Sequence, residues 1–201
     1  ATTTRRSFTP RRLEDRAEAG GEDHLPVILG QRRATEKRNT ACVSSQIGCS
    51  LACKFCATGL MDRKRNLHFD EIYDQVAILN EQSEKMYGTG ITNIVYMGMG
   101  EPLLNYNNVL KSIERITASD SMAMSPKRIT VSTAGVAKMI KQLGDDKVRF
   151  NLALSLHAAN DEKRNTIMAI NESNNIAALT EALNYFYEQT KNDITLEYVL
   201  L

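Results

Sequence analysis

Ile91-Thr-Asn-Ile-Val-Tyr-Met97-Gly-Met-Gly-Glu-Pro-Leu-Leu-Asn105 places an apolar run directly before a glycine-rich turn that carries an acid. The branched and aromatic residues of Ile91–Met97 are those of a buried strand. Gly98 and Gly100 let backbone approach a ligand closely, and Glu101 can accept a hydrogen bond from an ammonium group. A glycine turn after a strand is common and means little alone. Its weight comes from the surrounding chain, where a strand followed by a polar or glycine-rich turn recurs.

Working outward, Thr40–Ile47 reads as a short β-type run. Phe69–Tyr87 has Ile72, Val76 and Leu79 on one helical face, with His68 or Asp70 as its cap. Tyr106–Thr117 repeats that period through Val109, Leu110, Ile113 and Ile116. Arg128–Ser132 is predicted as a strand and Val136–Leu143 as a helix stopped by Gly144. Val148–Leu156 is the next strand, Asp161–Met168 and Ile176–Thr190 are helical, and Ile194–Leu201 is a last strand. Nearly continuous apolar strands alternating with amphipathic helices predict an α/β fold with a parallel sheet. A barrel, a partial barrel and an open doubly wound sheet all satisfy this alternation.

The chain has 201 residues, 42% hydrophobic and 24% charged, with a formal net charge of +1. That balance suits a globular protein and makes no bulk electrostatic case for nucleic acid. It contains no apolar run long enough for a membrane span, and no secretory leader is expected. Residues 1–34 stand apart, with seven arginines and no lysine. They are expected to form an atypical, loosely ordered or foreign segment, with a basic arm touching RNA phosphates as the alternative. Residues 35–201 form the expected core domain. The chain begins at Ala1 and stops at Leu201 inside an apolar run, so a fragment of a longer protein is expected.

All four cysteines, Cys42, Cys49, Cys53 and Cys56, lie within 15 residues. Disulfide frameworks staple distant segments, so this clustering points to metal in a reducing compartment. Cys49, Cys53 and Cys56 sit at x3 and x2 spacing on a loop after a strand. Thiolates suit iron–sulfur clusters or zinc. Three of them can hold three corners of a [4Fe–4S] cubane, leaving one iron open to the amino and carboxylate groups of S-adenosylmethionine (SAM). The competing reading is a zinc knuckle with Cys42 or a histidine as fourth ligand. Only one Cys-x2-Cys unit is present where zinc sites usually have two, and this favours the cluster. Arg63-Lys-Arg65 beside the loop reads either as a phosphate contact or as a solvated turn.

Thr130-Val-Ser-Thr-Ala-Gly135 and Leu154-Ser-Leu-His157 end the next two predicted strands. Ser132, Ser155 and His157 are each ordinary polar residues when taken singly. In a parallel α/β fold, however, all C-terminal strand ends open on one face. The three cysteines, Glu101, Ser132, Ser155 and His157 are therefore expected at a single mouth.

Four stretches together resemble the radical SAM methyltransferases of the RlmN/Cfr family: Cys42–Gly59, Met97–Asn105, Ile129–Gly135 and Leu152–Ala158. The resemblance covers about residues 35–201. It implies a partial (β/α)6 TIM-type barrel of the radical SAM class, lacking its last strand and C-terminal segment. It implies a [4Fe–4S] cluster on Cys49, Cys53 and Cys56, and SAM bound by Gly100, Glu101, Ser132, Ser155, Leu156 and His157. It also implies methylation of adenosine carbon 2 in 23S rRNA and in tRNA, with carbon 8 as the Cfr-type alternative. The implied route uses a 5′-deoxyadenosyl radical and a methylcysteine. Cys42 matches the resolving cysteine, which would form a transient disulfide. A cytoplasmic monomer reduced by a flavodoxin-class donor, with no membrane partner, completes the expectation.

The chain departs from the family pattern in three places. No cysteine is left for the methyl-carrying role, so it is expected beyond Leu201 and this stretch alone is not expected to complete turnover. The family's N-terminal helical domain has no counterpart. Leu29 stands where relatives carry a glutamate.

Overall fold

The computed structural model describes residues 38–199. The readings of residues 1–34 and of the last two positions lie outside them. Five strands form one sheet: β1 (Thr40–Cys42), β4 (Asn93–Tyr96), β5 (Ile129–Thr133), β6 (Asn151–Ser155) and β7 (Ile194–Glu197). All neighbouring pairs are parallel, in the order β1-β4-β5-β6-β7. Each strand is added on the same side as the one before. A doubly wound sheet reverses that direction at a switch point, whereas a barrel does not. The order therefore selects the barrel-type winding that the alternation left open.

Five α-helices intervene: α1 (Phe69–Tyr87), α2 (Tyr106–Thr117), α3 (Ala137–Asp145), α4 (Asp161–Ile167) and α5 (Ile176–Thr190). The cap of α1 follows from local chemistry. Glu71 reaches back to accept from the backbone N–H of His68 at 2.8 Å, and the helix ends where Gly88 turns left-handed. Ile72, Val76 and Leu79 of α1 are buried, as are Val109, Ile113 and Ile116 of α2. They cover a sheet whose Ile94, Ile129, Val131, Leu152 and Leu154 are almost wholly inaccessible.

Two readings are corrected. Thr40–Ile47 is not one strand. After Val43 the backbone N–H of Ser44 turns to the Gln75 side chain, and those of Ser45 and Gln46 both turn to Met99 O. Gln46–Ile47 (β2) then pairs antiparallel with Arg65–Asn66 (β3), closing the base of the cysteine loop. Gly144 does not stop α3, which runs on to Asp145. A Cβ at Gly144 would stand 3.2 Å from the Tyr185 ring and 3.4 Å from Phe186 Cα. This glycine lets α5 lie close against α3, and it carries the wrong signal because both roles demand the same residue type.

Candidate active site

The C-terminal ends of the strands open on one cavity of about 710 Å³. Cys49, Cys53 and Cys56 line it, together with Gly100, Glu101, Ser132, Ser155 and His157. The expected convergence is thus present. Leu156 is half-buried and packs toward the core instead of lining the cavity. Cys42 ends β1, bonds the backbone of Met97, and is not among the lining residues, although Met97 is. Burial pushes its thiol up to about 11.

The glycine turn is laced to the strand exit beside it. The N–H of Gly98 donates to Val43 O at 3.0 Å, and that of Met99 to Ser44 Oγ at 2.9 Å. A Cβ at Gly98 would lie 2.6 Å from Ser44 Oγ and 2.8 Å from Val43 O, so only glycine fits. Gly100 has a φ of +95° with Gln46 against it, and the N–H of Glu101 donates to Gln46 Oε1 at 2.9 Å.

Glu101 itself is 2% exposed. Its two oxygens accept from Leu103 N at 3.0 Å and Ala134 N at 2.7 Å. Burial raises its pKa, and these backbone hydrogen bonds oppose the rise. The carboxylate therefore clamps the β4 turn to the end of β5 while still facing the cavity.

The cysteine loop is short and tied at several points. Cys56 N donates to Cys53 O at 3.1 Å, and Lys54 N donates to Ile167 O at 3.0 Å, seating the loop on the end of α4. Burial raises the pKa of Cys49, and burial followed by the charges of its two neighbouring cysteines raises Cys53 to about 11. As thiolates the three would repel one another and Glu101, a cost that an iron centre between them would offset. A zinc knuckle needs four donors around one ion. Among the described residues, no three His, Cys, Asp or Glu side chains are grouped that way. What the cavity lining does offer is three thiols, the soft donors an iron–sulfur cluster takes. All four cysteines are free, so no disulfide of Cys42 is present in this structure. The other three stand on the cluster loop.

His157 caps β6 with a left-handed φ of +57° and packs edge to face on Phe55 of the cysteine loop, with centroids 4.4 Å apart. Its Nδ1 accepts from Val199 N at 3.1 Å, which places the neutral ring's proton on Nε2. Burial lowers its pKa, so the ring is neutral at pH 7.

Two residues escaped the sequence reading. Glu197 ends β7 and lines the cavity, accepting from Ser132 Oγ at 2.8 Å and Ser155 Oγ at 3.0 Å. The same strand-end rule that selected Ser132 could have found it. Arg164 of α4 is fully buried, and its guanidinium donates to Ala134 O, Ser155 O, Leu156 O and Asn171 Oδ1. Asn171 passes the interaction on to Asp161 at 2.9 Å. Nothing in the local pattern of α4 marks Arg164 as the post that ties the ends of β5 and β6.

The model for the Radical SAM superfamily matches residues 43–201. Among curated proteins, the chain is 62% identical over 174 residues to the probable dual-specificity RNA methyltransferase RlmN of Cytophaga hutchinsonii. That match covers 87% of this chain and 48% of the relative. The RlmN of Salinibacter ruber is 50% identical over 178 residues, covering 88% and 48%. The chain thus spans about half the length of the curated relatives it matches. A solved radical SAM methyltransferase from Sphaerobacter thermophilus superposes with a TM-score of 0.78 at 39% identity, over 81% of this chain and 48% of that one.

Proposed function

This chain belongs to the radical SAM superfamily, and on that premise we propose that it is the catalytic core of an RlmN-type RNA methyltransferase acting on carbon 2 of adenosine in 23S rRNA and tRNA. The observation that carries the proposal is the meeting of the three loop cysteines with the three strand-end motifs that follow β4, β5 and β6 at one cavity. The likeness to proteins named RlmN supports RNA as the substrate.

Cys49, Cys53 and Cys56 would hold the [4Fe–4S] cluster. When bound, the cluster supplies the electron that cleaves SAM. Every other role belongs to the chain. The clamp of Glu101 on the β4 turn holds Gly98 and Gly100 against the ligand's path, so that backbone lines the cavity where SAM's methionine end would lie. Ser132, Ser155 and Glu197 form a hydrogen-bonded part of the same lining. His157 offers Nε2–H as a fixed donor and, with Phe55, closes one side against water. Cys42, one hydrogen bond from the cavity-lining Met97, would serve as the resolving thiol. Its raised pKa keeps it protonated until a base or a neighbouring substrate group takes the proton.

The test is the base composition of RNA from cells with and without the gene. Loss of 2-methyladenosine from 23S rRNA and tRNA is expected. Loss of 8-methyladenosine, or no change in RNA, would reject the assignment.

A further inference from the structure

Glu197 engages the cavity in a specific way. Both serine hydroxyls donate to the same oxygen, Oε2, at 2.8 Å from Ser132 and 3.0 Å from Ser155. A carboxylate only accepts, so each serine's single proton is committed to it. Oε1 has no hydrogen-bond partner among the described residues. The position of the carboxylate is set by backbone. Glu197 O accepts from both Leu156 N and His157 N at 3.1 Å, locking β7 to the end of β6. Glu197 is half-buried and lines the cavity.

The consequence is chemical. With their protons taken, Ser132 and Ser155 present only lone pairs to a ligand, and Oε1 presents another. This wall can accept hydrogen bonds and cannot donate them. A ligand carboxylate is repelled here, and a pair of neighbouring hydroxyls is matched. His157, which also lines the cavity, is a side-chain donor there through its Nε2–H, since its Nδ1 is already an acceptor.

Resting on the SAM assignment, we infer that Glu197 is a binding residue for the ribose diol: by taking both serine protons on Oε2 it leaves an acceptor-only wall that selects the sugar's hydroxyls and directs the methionine carboxylate elsewhere. Glu197→Gln removes this property. An amide places donors in the wall and releases the serine protons to rotate.

The experiment is equilibrium binding of SAM and of its 2′-deoxy and 3′-deoxy analogues to the anaerobically cluster-loaded chain, as wild type, Glu197→Gln and Glu197→Asp. A hydrogen bond to a charged acceptor lost on removing one hydroxyl corresponds to roughly tenfold or more in affinity. Wild type should therefore bind SAM about tenfold more tightly than at least one deoxy analogue. In Glu197→Gln that ratio should fall to near one, with iron content unchanged, while Glu197→Asp should retain part of it. Equal weakening toward SAM and analogues, with the ratio kept, would mean that Glu197 is only structural and would overturn the inference. So would wild-type protein that binds SAM without distinguishing the analogues, a result that leaves the SAM assignment standing. Wild-type protein that takes up the cluster and does not bind SAM would overturn both.

Discussion

Phe55 and His157 meet edge to face, ring planes at 71°, joining the cysteine loop to the end of β6. The histidine is neutral there because burial lowers its pKa, against a smaller opposing pull from Glu197. Its folded-state pKa lies below the ordinary value of about 6.5, so the unfolded chain binds more protons at mildly acid pH. The contribution of His157 is therefore whole above that value and is lost as pH falls through the depressed folded value. Denaturant midpoints of the cluster-free chain, measured from pH 7 downward, should fall more steeply for wild type than for His157→Gln, whose amide oxygen can still accept from Val199. Parallel curves would contradict this.

Gly98→Ala should damage the site more than its size suggests. The added Cβ would press on Val43 backbone at 2.8 Å, which has no freedom to rotate away. A loss of about 1–3 kcal/mol is expected from such overpacking, read as a lower unfolding midpoint. SAM affinity should fall with it, because the β4 turn must retreat from β1.

Glu101→Gln keeps shape and changes hydrogen-bonding sense. Two backbone N–H groups, Leu103 and Ala134, now meet a carboxylate oxygen each. An amide can satisfy one and must set an N–H donor against the other. About 1–3 kcal/mol of stability is expected to be lost, with the conservative Asp failing to rescue because it is too short to bridge both. A Gln variant as stable as wild type in chemical denaturation would contradict the clamp.

Arg164→Met should be among the most damaging single changes. It takes the guanidinium donor from Ala134 O, Ser155 O and Asn171 Oδ1 in a fully buried setting, while Leu156 O keeps the N–H of Ala158 at 2.7 Å. Each orphaned group costs about 1–3 kcal/mol before relaxation. Arg164→Lys should recover little, since one ammonium cannot span acceptors arranged for a planar guanidinium. Thermal unfolding measures both.

Much of this architecture was legible because it rests on local signals. The bounds of α1, α2 and α5 follow apolar periodicity, and the mouth follows from placing motifs after parallel strands. What was not legible depends on which segments approach one another. Gly144 carries a stop signal in sequence and a packing role in space. The division of Thr40–Ile47 is decided by Met99 and Gln75, both far away in the chain. Arg164 reads as one charge on a polar helix until the carbonyls of two strands close around it. Glu197 reads as the polar member of an alternating strand, and its function appears only when Ser132 and Ser155 arrive beside it.

The central claim is that Cys49, Cys53 and Cys56 hold a cluster with one iron open to SAM in the strand-end cavity. The most direct measurement is the electron paramagnetic resonance spectrum of the anaerobically iron- and sulfide-loaded, reduced chain, recorded with and without SAM. A four-iron signal that shifts on adding SAM, and that is lost in Cys53→Ser, is predicted. Stoichiometric zinc without iron, or a cluster signal that SAM leaves unchanged, would contradict the account.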